Sequence, residues 1–263
     1  MGKSKSTALA EVKDEIQGLS TDILDFITEN EGAGAEGLSG DDMSIPFLKI
    51  IQSLSDERKK NKESYIEGAE EGHIFDSVSR KLMREIEVIP VHIRRSVLEW
   101  VPRDAADSGL VGEYASMAEA QKMSAPGNDL EDTFAYVVLY RDPTSMDFSP
   151  AIISMSRTKM KVARRWNTTL KSLKVPTADG GRVSPPIYAT IYLMGTVEAS
   201  SPKGDYYNFT TPTFQGLVES RELLEQAKEL AETMKDRPLR TSREDAEEAD
   251  FEEIVEDRED RAF

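Results

Sequence analysis

The chain has 263 residues, 38% hydrophobic and 31% charged, with 12 prolines, 16 glycines and no cysteine. That is enough for one large domain or two small ones, and it excludes disulfides and thiolate metal sites. The formal net charge of −16 taken alone would argue against a polyanionic partner.

From the N-terminus, Leu9, Val12, Ile16, Leu19, Ile23 and Ile27 recur at three- and four-residue steps. They predict an amphipathic helix, broken at Gly18 and restarted by a cap at Ser20 or Thr21. Gly32 to Asp42 reads as a flexible linker. Ile45–Gln52 opens the body as a first strand or a short buried helix, with Pro46 in the opening turn. Strands are then expected over 73–78, 86–93 and 96–101. Pro90 implies an edge or a bulge in the second of these. Residues 103–132 read as an excursion with a short helix near Met117–Lys122, before strands over 133–140 and 151–155. Arg157–Lys174 predicts a helix with Met160, Ala163, Trp166, Leu170 and Leu173 on one face. A long strand over 187–197, a hairpin partner over 206–210 and a final helix over 217–234 complete the body.

This order suggests a mainly β (α+β) fold. An oligonucleotide-binding-type antiparallel barrel with an inserted helix would match, with enlarged loops at 103–132 and 175–186. The expected division is 1–42 as helical arm and flexible linker, 43–238 as a nucleic-acid-binding barrel and 239–263 as an acidic disordered tail. No apolar run approaches the roughly 20 residues of a membrane span. The N-terminus lacks an apolar signal core, so a cytoplasmic protein is expected.

The charge is unevenly placed. Residues 1–46 carry three Lys and ten acids, and residues 243–263 carry three Arg and eleven acids. Residues 47–242 hold 27 basic and 28 acidic residues, so the body is near neutral. Within it, Phe148 to Ala178 contains no Asp or Glu but carries Arg157, Lys159, Lys161, Arg164, Arg165, Lys171 and Lys174. Like charges at helical spacing repel, so an external negative charge is expected to balance them. A phosphate backbone would do so, and so would the chain's own tail. The alternative is an ordinary solvated face balanced by acids elsewhere in the fold.

Single strands also need flat π faces for their bases. Tyr136, Tyr188, Tyr192 and Tyr207 are the candidates, with Trp166 expected to anchor the basic helix. His73 and His92 lie on separate strands without local support for a metal pair. The chain contains no GxxxxGK[ST], GxSxG or HExxH sequence, so neither a cofactor nor an enzymatic activity is expected.

The acidic run Glu256-Asp257-Arg258-Glu259-Asp260-Arg261-Ala262-Phe263, the basic, aromatic-bearing centre, and the segments Asp42–Ile50, Tyr65–Gly68 and Gly72–Phe75 together resemble tailed-phage single-stranded DNA-binding proteins. The resemblance covers most of residues 41–263. It implies a barrel that coats and protects single-stranded DNA during replication and recombination in the host cytoplasm. It also implies a tail whose Glu256, Asp257, Glu259, Asp260 and Phe263 recruit replication or host proteins and compete with DNA for the groove. The chain departs from that pattern in having Arg258 and Arg261 in the tail, and in its long N-terminal arm. That arm is a candidate contact in a homo-oligomer. A phage structural or scaffolding protein, a strand-annealing recombination protein and a carboxylate-dependent nuclease are the competing expectations.

Overall fold

The structure, a computed structural model, describes residues 20–30, 33–34, 44–102, 105, 109–177, 179–201 and 204–235. Helix α1 (Thr21–Glu29) starts where the restart is expected. Ser20 occupies the N-cap in an extended conformation, but its side chain caps no backbone N–H. The expected helical turns before Ser20, most of the Gly32–Asp42 linker and the acidic tail lie outside the described residues.

Strands β1 (Leu48–Ile50), β2 (Ile74–Asp76) and β3 (Leu82–Met83) form a small antiparallel sheet in that order. Next in the chain come β4 (Glu85–Val101), β5 (Gly109–Tyr114), helix α2 (Met117–Met123), β6 (Asp129–Arg141) and β7 (Phe148–Ser156). A single 3-10 turn, Arg157–Lys159, leads into helix α3 (Met160–Ser172). The short pair β8 (Val175–Pro176) and β9 (Arg182–Val183) follows, then β10 (Thr190–Ser201), β11 (Gly204–Phe209), β12 (Thr213–Leu217) and helix α4 (Arg221–Met234). The large sheet runs β11-β10-β4-β6-β7, with β12 also on β10 and β5 also on β4. All its pairings are antiparallel. The fold is mainly β with a few helices, as the sequence suggests.

The expected strands 86–93 and 96–101 are one continuous strand, β4. Pro90 has no N–H to give a ladder, and the β4–β6 register shifts between Pro90 and His92. The irregularity is a bulge in a central strand, not an edge. Bulges bend the strand that carries them. The first part of β4 pairs with β10 and its last part with β5. Phe47 also bridges Ile152 of β7 in parallel. Gln52 Nε2 donates to the Tyr207 carbonyl at 2.8 Å, and the Tyr207 N–H donates back to Gln52 Oε1 at 2.9 Å. The small sheet is thereby tied to both β7 and β11, and the large sheet curls into a half-barrel around one face.

Both faces of the sheet are buried. Inside the curl, Val88, Tyr136, Val138, Tyr140, Ile153 and Met155 pack with Trp166 and Ala163 of α3 and with Leu48, Ile50 and Ile74 of the small sheet. On the other face, Ile89, Val91 and Leu139 meet Ala227 and Ala231 of α4. Ala135, Val137, Ile152 and Phe47 meet Met234 of the same helix. Alternation along β6 therefore sends Tyr136 and Val138 to α3 but Val137 and Leu139 to α4.

The excursion is more ordered than the sequence suggests. It contains β5 and α2, and β6 begins at Asp129. The buried Glu99 pins it to β4, accepting from the Tyr114 hydroxyl, from Asn128 Nδ2 at 2.6 Å and from the Ala125 N–H at 2.8 Å. Helix α4 begins at Arg221, capped by Ser220, which accepts from the Leu223 N–H at 3.3 Å. The residues just before it, Thr213–Leu217, form β12.

Candidate nucleic-acid interface

Helix α3 divides its residues cleanly between core and solvent. Met160, Val162, Ala163, Trp166 and Leu170 are buried. Lys161, Arg164, Arg165, Thr168 and Lys171 are exposed. The rotation of the helix is fixed from the inside. The Trp166 ring stacks on Tyr136 with centroids 4.5 Å apart and meets Tyr192 edge-on at 5.8 Å. The Tyr136 hydroxyl donates to Asn167 Oδ1 at 2.8 Å, and burial pushes its phenol above the ordinary pKa. With this apolar face locked, the cations have only solvent to point into.

Arg157, Thr158, Met160, Lys161, Arg164, Arg165 and Thr168 line one shallow concavity of about 510 Å³. Four of these seven residues are cationic and none is acidic. Among the described residues, no carboxylate lies within 4.0 Å of the charged nitrogens of Lys161, Arg164, Arg165 or Lys171. Two acids near the start of strand β6 pair with arginines beside it. Glu131, buried, accepts from Arg157 Nε at 2.9 Å. Asp132 accepts from Arg95 Nε at 2.9 Å and from its Nη2 at 2.7 Å. The Arg95 guanidinium holds the Asp132 carboxyl below the usual carboxylate range, and the charge of Arg164 acts in the same direction. Asn208 of β11 reaches the same corner, its Nδ2 donating to the Thr158 carbonyl at 3.2 Å.

The seven cations expected from the sequence are thus not equivalent. Arg157, Lys161, Arg164 and Arg165 share the concavity. Lys171 is exposed on the same helix, seven residues beyond Arg164, so helical spacing extends the stripe to it. Lys159 does not line the concavity. Lys174 is turned to the β8–β9 hairpin, where its Nζ donates to Ser184 Oγ at 2.6 Å.

The aromatic expectations require correction. Tyr136 and Tyr192 are both 0% exposed, so neither offers a ring face to a base. Their faces are used to anchor Trp166, which is the anchor the sequence suggests. Tyr188 packs in the apolar cluster under α4, on the other face of the sheet. Tyr207 is half-buried, with its ring against Gly72. A Cβ at Gly72 would lie 2.5 Å from Tyr207 Cδ1, and the Gly72 φ of +78° favours glycine independently. Glu256, Asp257, Glu259, Asp260 and Phe263 lie outside the described residues.

Sequence reasoning missed Glu131, Asp132 and Arg95, which depend on the β4–β6 register, and Thr158 and Thr168, which lack charge. Among the described residues, no group of three or more His, Asp or Glu side chains is placed to hold a metal ion. No described helix is long and apolar enough to cross a membrane.

Comparison with known proteins gives one family. The model of the Pam3 phage gp34-like proteins matches residues 15–239. No curated protein and no solved structure matches.

Proposed function

The chain belongs to the Pam3 phage gp34-like protein family, and from that premise we propose that it is a single-stranded DNA-binding protein of phage replication and recombination. It acts without catalysis in the host cytoplasm. The observation that carries this reading is the α3 concavity, where Lys161, Arg164 and Arg165 meet with no carboxylate within 4.0 Å among the described residues, while Arg157 beside them is paired with Glu131. Lys161 lies three residues before Arg164 and four before Arg165, a spacing that costs a helix a few tenths of a kcal/mol per like-charged neighbour. A phosphate backbone supplies the missing counter-charge.

The topology supports an oligonucleotide-binding-type barrel. Three antiparallel strands, β4, β6 and β7, precede helix α3, and two more, β10 and β11, follow it. The first of these five is a long bulged strand that pairs with both the second and the fourth. Such barrels bind single strands on an open face. Here both faces of the sheet are covered, one by α3 with the small sheet and the other by α4, so this reading assigns the strand to the exposed outer side of α3, where the cations of the concavity lie. In this reading the eleven carboxylates of residues 243–263, linked to the body through the chain, compete with DNA for its cations and serve as a docking segment for replication or host proteins.

A gel shift of the full chain with single- and double-stranded oligonucleotides, with and without magnesium, tests the proposal. A retarded, uncleaved single strand without magnesium is the expected result. Absence of any shift, or magnesium-dependent cleavage, contradicts it.

One observation favours a second reading, a phage structural or scaffolding protein. Helix α1 presents Ile23, Phe26 and Ile27 at 46%, 65% and 54% exposure, an apolar stripe suited to assembly. That reading predicts a defined multimer by sedimentation and no shift. A strand-annealing protein would instead pair complementary strands in the same assay.

A further inference from the structure

We infer that the α3 cleft grips the sugar–phosphate backbone and does not read or stack on bases. This rests on the nucleic-acid reading above and narrows it.

Proteins that hold single strands through their bases present aromatic faces along the cationic groove. None of the seven residues lining this cleft is aromatic. The two rings in contact with Trp166 of the helix are withdrawn from solvent. Tyr136, Trp166 and Tyr192 are 0% exposed and packed on one another. Phe134, which packs against the same cluster, is half-buried and covered by the Arg95 guanidinium, 5.5 Å from its ring centroid. Arg95 is itself held in place by two hydrogen bonds to Asp132.

What the cleft does present is guanidinium and ammonium donors with two threonines. The Thr168 hydroxyl donates back to the Arg164 carbonyl at 2.9 Å, so its proton is not offered to a base edge. Arginine and lysine on phosphate carry no sequence information. Binding is therefore sequence-blind, indifferent to the presence of bases, and driven by release of counterions.

The test compares two fluorescently labelled strands of equal length, oligothymidylate and a fully abasic strand, by anisotropy with the full chain at one salt concentration. A single stacked base is worth roughly an order of magnitude in affinity or more. The expected result is dissociation constants within about three-fold of each other, because no stacking contribution of that size is lost. Lys161→Ala, Arg164→Ala and Arg165→Ala combined should weaken both strands by the same factor. An abasic strand weaker by about ten-fold or more overturns the inference while leaving the nucleic-acid reading standing. A combined variant that weakens only the thymidylate strand does the same. If neither strand binds, the nucleic-acid reading itself is overturned and this inference falls with it.

Discussion

Arg157 Nε donates to Glu131 Oε1 at 2.9 Å, which joins the turn before α3 to the start of β6. Arg157 has a φ of +44°, in the left-handed region that non-glycine residues rarely occupy. The backbone strain there is held by the surrounding contacts, and the buried Glu131 carboxylate is one of them. The same carboxylate places a negative charge at the edge of a cleft read here as a phosphate site. Fold and affinity therefore pull in opposite directions at this residue. Glu131→Gln should lower stability by about 1–3 kcal/mol, the usual range for weakening a partly buried charged hydrogen bond. It should also tighten oligonucleotide binding severalfold, by adding about one effective cation to the cleft. Denaturant titration and anisotropy on the same preparation check both signs.

Tyr136 and Trp166 are assigned to the core, so their variants should change stability and not affinity. Tyr136→Phe removes the bond to Asn167 and should cost about 1 kcal/mol. Trp166→Ala empties a fully buried site and should cost about 3–5 kcal/mol. A Tyr136→Phe protein that melts like the parent but loses single-strand affinity would place the aromatic stack in the binding site after all.

His73 and His92 predict an acid sensitivity above the carboxylate range. Burial lowers both imidazole pKa values from 6.5, helped by the positive charges of Arg84 at His73 and of Arg94 and Lys235 at His92. Glu70 opposes this at His73. The folded protein therefore binds fewer protons than the unfolded chain once the unfolded imidazoles begin to protonate. The stability these residues contribute is present above pH 6.5 and is lost as pH falls from there toward the depressed folded values. His73→Gln combined with His92→Gln should flatten the melting temperature against pH in that window. An unchanged slope contradicts the assignment.

Much of the fold was legible because it rests on local signals. The apolar spacing on α3 fixed which residues face inward. The β-branched run over 133–140 marked β6, and Pro90 marked its bulge on the neighbouring strand. What was not legible depended on long-range register. Thr213–Leu217 is exposed at four of its five positions and has no alternation to betray it, so β12 follows only from its pairing with β10. The excursion's order comes from Glu99 collecting donors from Tyr114, Ala125 and Asn128, a meeting that no spacing rule announces. Within the site, the charge pattern located the cleft. Periodicity could not say which of the two faces of β6 held the exposed ring, and neither face presents Tyr136 to solvent.

Salt dependence is the most direct measure of a phosphate-binding α3. Single-strand affinity of the full chain should fall with salt, with a log–log slope of about −0.7 for each phosphate neutralised. Combining Lys161→Ala, Arg164→Ala and Arg165→Ala should make that slope shallower by about 2 and weaken binding at low salt by at least about ten-fold. These side chains are exposed, so the melting temperature should stay near that of the parent. A folded triple variant with the parent's slope and affinity would contradict the assignment of the strand to this helix.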